Sequence, residues 1–148
     1  MSNVLVTGKR KRAIATAIVR PGKGRIWVNG IPLEFYPVEM ARLKMMEPLL
    51  IAGRQLRSMV DIHVKVRGGG VMGQAEAVRM AITRGLLEYL KSRMGEGEEA
   101  EKMKEQIKIL RRFFNEYDPH MIVGDPRRTE PKKPMRYSAR RRWQKSYR

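Results

Sequence analysis

Gly68, Gly70 and Gly73 in "VKVRGGGVMGQAEAVRMAI" stand in the spacing G-x-G-x-x-G, the spacing that holds a dinucleotide pyrophosphate between a strand and a helix. A strand ending at Arg67 and a helix beginning near Val71 supply half of that context. The other half is an acidic residue about 20 positions further on, at the end of a second parallel strand. The chain reads "KSRMGEGEEAEKMK" there, which is helical and charged. A nucleotide-binding enzyme is therefore the disfavoured reading, and no cofactor is expected. The glycines keep a second chemistry. Gly68, Gly69 and Gly70 can turn successive N–H groups toward an anion at the positive end of the following helix, with Arg67 beside it and Gln74 one turn on. An RNA phosphate is one such anion. A tight strand-to-helix turn with no ligand is the plainer alternative, because glycine adopts positive φ without steric cost.

Other reactive residue types are scarce. There is no cysteine, which excludes disulfides, thiolate metal sites and a cysteine nucleophile. His63 and His120 are too few for a three-histidine zinc site, and no nucleophile or orienting group accompanies either in sequence. No metal site and no enzyme activity are expected.

Positive charge is abundant: 32 Lys and Arg face 15 Asp and Glu, a formal net charge of +17. Such an excess repels itself unless a polyanion neutralises it, so nucleic acid is the first partner to consider. The cations gather in two places. "TGKRKRA" sets Lys9, Arg10, Lys11 and Arg12 on an extended segment whose side chains point to both faces. Residues 125–148 carry Arg127, Arg128, Lys132, Lys133, Arg136, Arg140, Arg141, Arg142, Lys145 and Arg148 against Asp125 and Glu130. That tail has no Leu, Ile or Val and contains Pro126, Pro131 and Pro134, so it cannot bury enough apolar area to offset the entropy of ordering. It is expected to stay unstructured until it meets its partner, and Tyr137 and Trp143 can then stack on unpaired bases.

The elements that must position these groups lie in residues 1–124, which read as one α+β domain with helices packed on a sheet. "RAIATAIV" suits a central strand covered on both sides, and "PGKG" turns it into "RIWVNG" as a hairpin. Asn29-Gly30 marks another turn. "VEMARLKMMEPLL" is a helix that Pro48 kinks or ends. In "MVDIHVKVR" Val60, Ile62, Val64 and Val66 face the core while Asp61, His63, Lys65 and Arg67 face away. The next helix recurs at Val78, Ile82, Leu86 and Leu90, with Ala75, Ala77 and Ala81 permitting close approach to the sheet. A charged helical insert at about 95–115 presents Met103, Ile107, Leu110 and Phe114 as a docking stripe, with Arg111 and Arg112 in its last turn. No segment has the roughly 20 apolar residues that cross a bilayer, and no leader is evident, so no membrane partner and a soluble cytoplasmic location are expected.

"TGKRKRAIATAIVRPGKGRIWVNG", "VKVRGGGVMGQAEAVRMAITRGLL" and "DPRRTEPKKPMRYSARRRWQKSYR" together resemble the family of the ninth protein of the small ribosomal subunit, over nearly the whole chain and in the expected order. The resemblance implies a sheet with helices on it and a left-handed β-α-β crossover, as in the second domain of the fifth small-subunit protein. It also implies residence in the subunit head, bound to small-subunit ribosomal RNA among neighbouring head proteins. The family's tail reaches the peptidyl-site tRNA at the anticodon stem-loop; the matching positions here are Gln144, Lys145, Ser146, Tyr147 and Arg148. The ending Ser146-Tyr147-Arg148 and the acidic insert look like the archaeal and eukaryotic branch rather than the bacterial one, which commonly closes on Ser-Lys-Arg. A free-standing nucleic-acid-binding regulator is the alternative from another class.

Overall fold

A computed structural model describes residues 3–93 and 98–146. Five strands form one sheet: β1 (Val4–Arg10), β2 (Ala13–Pro21), β3 (Ile26–Val28), β4 (Ile31–Pro32) and β5 (Val60–Arg67), in the order β1-β2-β5-β3-β4. Three helices pack on it: α1 (Glu39–Ser58), α2 (Val71–Ser92) and α3 (Glu98–Tyr117). The α+β expectation holds. Glu96 of the acidic insert and the tRNA-directed Tyr147 and Arg148 lie outside the described residues.

Alternation along the strands decides which face the helices cover. Ala13, Ala15, Ala17 and Val19 on β2 are fully buried, as are Val60 and Ile62 on β5, because α2 lies against them with Ala75, Ala77, Val78, Ala81 and Ile82. The opposite residues of β2, Ile14, Thr16 and Ile18, are only half-buried. β2 is central in its pairing, between β1 and β5, but it is covered on one side, not two. Small side chains set the depth of the contact. A Cβ on Gly8 of β1 would stand 2.2 Å from the Ala77 carbonyl oxygen, so only glycine lets α2 approach this strand. Met45, Phe114 and Met121 close the core from the helical side.

Four further expectations are corrected. β3 does not pair with β2; it runs parallel to β5 and antiparallel to β4. The reason lies in Asp61, whose Oδ1 accepts from the Lys23 and Arg25 N–H groups at 2.8 and 2.9 Å and draws the "PGKG" turn onto β5. β5 thereby occupies the edge of β2 that a hairpin would have used, and α1 supplies the crossover that a parallel pair needs. The α1 helix runs through Pro48, which is buried; its non-helical backbone is at Gly53, φ 80° and ψ 167°. α3 continues to Tyr117, so Arg111 and Arg112 lie before its last turn, which has no basic residue. Its Ile107 and Phe114 are buried in the molecule's own core, so the expected docking stripe is already covered.

Candidate nucleic-acid interface

The N-terminal cations sit on a hairpin. β1 pairs with β2 from Val4↔Val19 to Arg10↔Ala13, leaving Lys11 and Arg12 as a two-residue loop in which Lys11 takes φ 53°. This loop meets the glycine turn after β5. Gly68 and Gly69 have φ 77° and 68°, the left-handed region that favours glycine. A Cβ on Gly68 would come within 2.6 Å of the Arg12 carbonyl oxygen, and one on Gly69 within 3.1 Å of Ala13. The glycines thus serve two ends: they turn the strand into α2, and they let the cationic loop lie beside the N-terminus of that helix. Gly70 caps α2 without a side-chain hydrogen bond. A cavity of about 450 Å³ opens here, lined by Lys11, Arg12, Gly69, Gly70 and Thr129 together with Glu76, whose charge is met by Arg10. The helix dipole and the adjacent cations both favour an anion in it.

The expected site residues separate into those that are unpaired and those already engaged. Arg10 is engaged. Its side chain, 12% exposed, bonds Glu76 on α2, meets Asp125 Oδ2 at 2.9 Å and donates to the Arg127 carbonyl at 3.2 Å. It brackets the hairpin, α2 and the start of the tail. Asp125 is held far below the usual carboxylate range, first by hydrogen bonds from Arg127, whose Nη2 lies 2.7 Å from Oδ2, and then by the Arg10 charge. Gln74 is engaged too, donating through Nε2 to the Gly68 carbonyl at 3.1 Å, so it braces the turn. Among the described residues, Lys9, Lys11, Arg12, Arg67, Arg128, Lys132, Lys133, Arg136, Arg141, Arg142 and Lys145 make no ion pair.

Beyond Met121 no described residue is in a helix or strand, and most of the tail is exposed. It has local order all the same. Arg140 pairs with Glu130, Nη2 to Oε1 at 2.6 Å. The Arg141 guanidinium lies 5.2 Å over the Tyr137 ring and the Arg141 carbonyl accepts from the Tyr137 N–H at 3.0 Å, while Trp143 meets Tyr137 edge-on at 5.2 Å. The tail therefore carries its own hook of Tyr137, Arg141 and Trp143 but makes no strand or helix. Gln144, Lys145 and Ser146 follow it, all exposed.

Two arginines on α2 escaped the sequence reading. Arg84 donates from Nε and Nη2 to the Ile122 carbonyl at 3.0 and 2.8 Å and from Nη1 to Thr7 at 2.9 Å, pinning the segment before the tail to β1. Arg79, 4% exposed, joins Glu47 of α1 to Asp118 after α3. Burial opposes its charge, but the hydrogen bonds it donates to both carboxylates outweigh this and raise its pKa. The available signal was position: both lie in α2, whose buried residues run almost without a break from Ala75 to Leu87.

The described residues form a small α+β domain: a mixed sheet with helices on one side, a cationic hairpin against a helix N-terminus, and an exposed basic arm. The family model for ribosomal protein S9/S16 matches residues 8–148, and the chain belongs to this family of structural, non-enzymatic ribosomal proteins. It is 66% identical to small ribosomal subunit protein uS9 of Aeropyrum pernix, covering 98% of this chain and 96% of that one. The proteins of the same name from Desulfurococcus amylolyticus and Pyrobaculum aerophilum are 54% and 49% identical, covering 92% and 91% of those chains and 98% of this one. Among the described residues, no helix is long and apolar enough to cross a membrane.

Proposed function

We propose that this chain is a structural constituent of the small ribosomal subunit that binds small-subunit ribosomal RNA with a globular anchor, residues 1–124, and delivers residues 125–148 as a basic arm. The carrying observation is the set of cations without carboxylate partners that runs from Lys11 and Arg12, past the glycine turn and Arg67, into the tail. Lys11, Arg12, Arg67 and the N–H groups of Gly69 and Gly70 take backbone phosphates; Arg128, Lys132, Lys133, Arg136 and Arg142 extend the track. Arg10 and Gln74 act indirectly, by fixing the loop and the turn. The arm runs on to the anticodon stem-loop of peptidyl-site tRNA, where Lys145 and Arg148 supply charge and Gln144, Ser146 and Tyr147 complete the contact. A tail of 24 residues spans up to roughly 80 Å at about 3.3 Å per residue, enough to separate anchor and target widely. Neighbouring proteins of the subunit head and a cytoplasmic location follow from this placement.

Co-sedimentation tests the assignment: the protein travels with small subunits, whereas a free-standing regulator stays at the top of the gradient. Removal of residues 145–148 lowers tRNA retention on small subunits and flattens its salt dependence. Unchanged retention at every salt concentration would contradict the role of the tail.

A further inference from the structure

The face of the sheet turned away from the helices is bare, and its residues form rows set by the strand register. One row crosses β1, β2, β5 and β3 as Leu5, Ile18, His63 and Trp27. A second holds Thr7, Thr16 and Lys65, and a third Lys9, Ile14 and Arg67. His63 and Trp27 are stacked, centroids 4.3 Å apart and planes 11° from parallel. Arg25 lies 5.4 Å over the Trp27 ring. Leu5 is 67% exposed, and Lys9, His63, Lys65 and Arg67 are all exposed. Asp61 is the one carboxylate that alternation assigns to this side of β5, and it is spent: buried, it accepts from two backbone N–H groups and from the Arg25 guanidinium. Among the described residues, Lys9, Lys65 and Arg67 have no ion partner on this face.

We propose that this bare face is a further RNA site, adjoining the glycine turn at Arg67, that takes an unpaired nucleotide with its base against His63 and its flanking phosphates on Lys65 and on Arg67, which the two sites share. The proposal rests on the RNA-binding reading above. Trp27 covers one face of the imidazole, and the row continues from His63 to Ile18 and Leu5, an apolar strip on which a base can lie beside the stack. Lys65 and Arg67 lie two and four residues further along the same strand, about 7 and 13 Å away at about 3.3 Å per residue, within reach of the sugar-phosphate chain leaving that base. Stacking on an aromatic platform bordered by cations is how proteins hold single-stranded nucleic acid without reading its sequence. An acidic protein surface would be drawn to the cations but has no use for the exposed stack, and this favours RNA.

The full-length protein bound to small-subunit ribosomal RNA is irradiated with short-wavelength ultraviolet light, and crosslinked peptides are identified by mass spectrometry. Nucleotide adducts on the peptides carrying Trp27 or His63 are expected, beside those at the hairpin loop and tail. His63→Ala weakens binding by about 5- to 150-fold, the range for loss of one base stack, and lowers the thermal midpoint only slightly, because the exposed ring gives up little beyond its stack on Trp27. Lys65→Gln reduces the salt slope by about 0.7. Adducts at the loop and tail alone, with wild-type affinity in both variants, overturn the sheet site and leave the RNA-binding reading intact. Absence of any RNA binding overturns both. In intact small subunits, amine-reactive crosslinks from Lys65 to another protein, with no RNA adduct on β3 or β5, assign the face to a protein and also overturn it.

Discussion

Arg79 and Gly8 show how single positions hold this molecule together without touching any partner. The Arg79 guanidinium is buried between two carboxylates from different elements, so its truncation leaves Glu47 and Asp118 facing each other in a partly dry setting. Arg79→Ala is expected to cost about 3 kcal/mol, read as a lower urea midpoint with an unchanged slope. Gly8→Ala forces a Cβ into the Ala77 carbonyl, and backbone cannot move aside as a flexible side chain would. About 2 to 3 kcal/mol of destabilisation is expected; a wild-type midpoint would show that α2 does not sit this close to β1. Arg10, by contrast, resembled its cationic neighbours in sequence, and only the fold shows that Glu76 and Asp125 consume it.

At the scale of elements, carboxylates fix where strands and turns go. Asp61 anchors the turn before β3, and Asp118 closes the segment after α3 by accepting from His120 N–H and from Arg79. Burial opposes the charge on each, yet the hydrogen bonds prevail, from Arg25 and Lys23 on Asp61 and from His120 and Arg79 on Asp118; both pKa values lie below the ordinary 3.8. Each therefore binds fewer protons folded than unfolded near that value, so its stabilisation is complete above it and is lost as pH falls through the lowered folded value. Urea midpoints measured from pH 6 down to pH 2 are expected to drop below about pH 4. Asp61→Asn starts lower and falls less steeply; an identical profile would remove Asp61 from the account. Much of this level was legible: the period of two in β5 and the four-residue recurrence in α2 depend on local patterns of burial. The partner of β3 was not, because it follows from a long-range contact between Lys23, Arg25 and Asp61. β1 was masked as well, since the cations at its end drew attention from Val4 and Val6, which alternate toward the core.

For the molecule as a whole, the division is between a core held by apolar packing and buried ion pairs and an arm held at its root alone. Arg84 grips Ile122, Arg10 grips Asp125 and Arg127, and Thr129 lines the cavity beside the glycine turn; past that point the side-chain pairings of the tail among the described residues are with itself. Composition alone disclosed the arm, because a stretch without Leu, Ile or Val has nothing to pack. Its hook of Tyr137, Arg141 and Trp143 was not disclosed, since the pairing depends on a backbone turn. The account's central claim is that this arm neutralises RNA phosphates while the folded part remains an independent anchor. Ending the chain after Thr129 keeps the Arg10, Asp125 and Arg127 bracket and removes Lys132, Lys133, Arg136, Arg140, Arg141, Arg142, Lys145 and Arg148. The direct measurement is the slope of log affinity for small-subunit ribosomal RNA against log salt, in the full and shortened chains. With Lys132, Lys133, Arg136, Arg140, Arg141 and Arg142 engaged on ribosomal RNA, the slope falls in magnitude by about 4 to 5 units while the shortened chain still binds at low salt. Equal slopes for the two chains would contradict the claim.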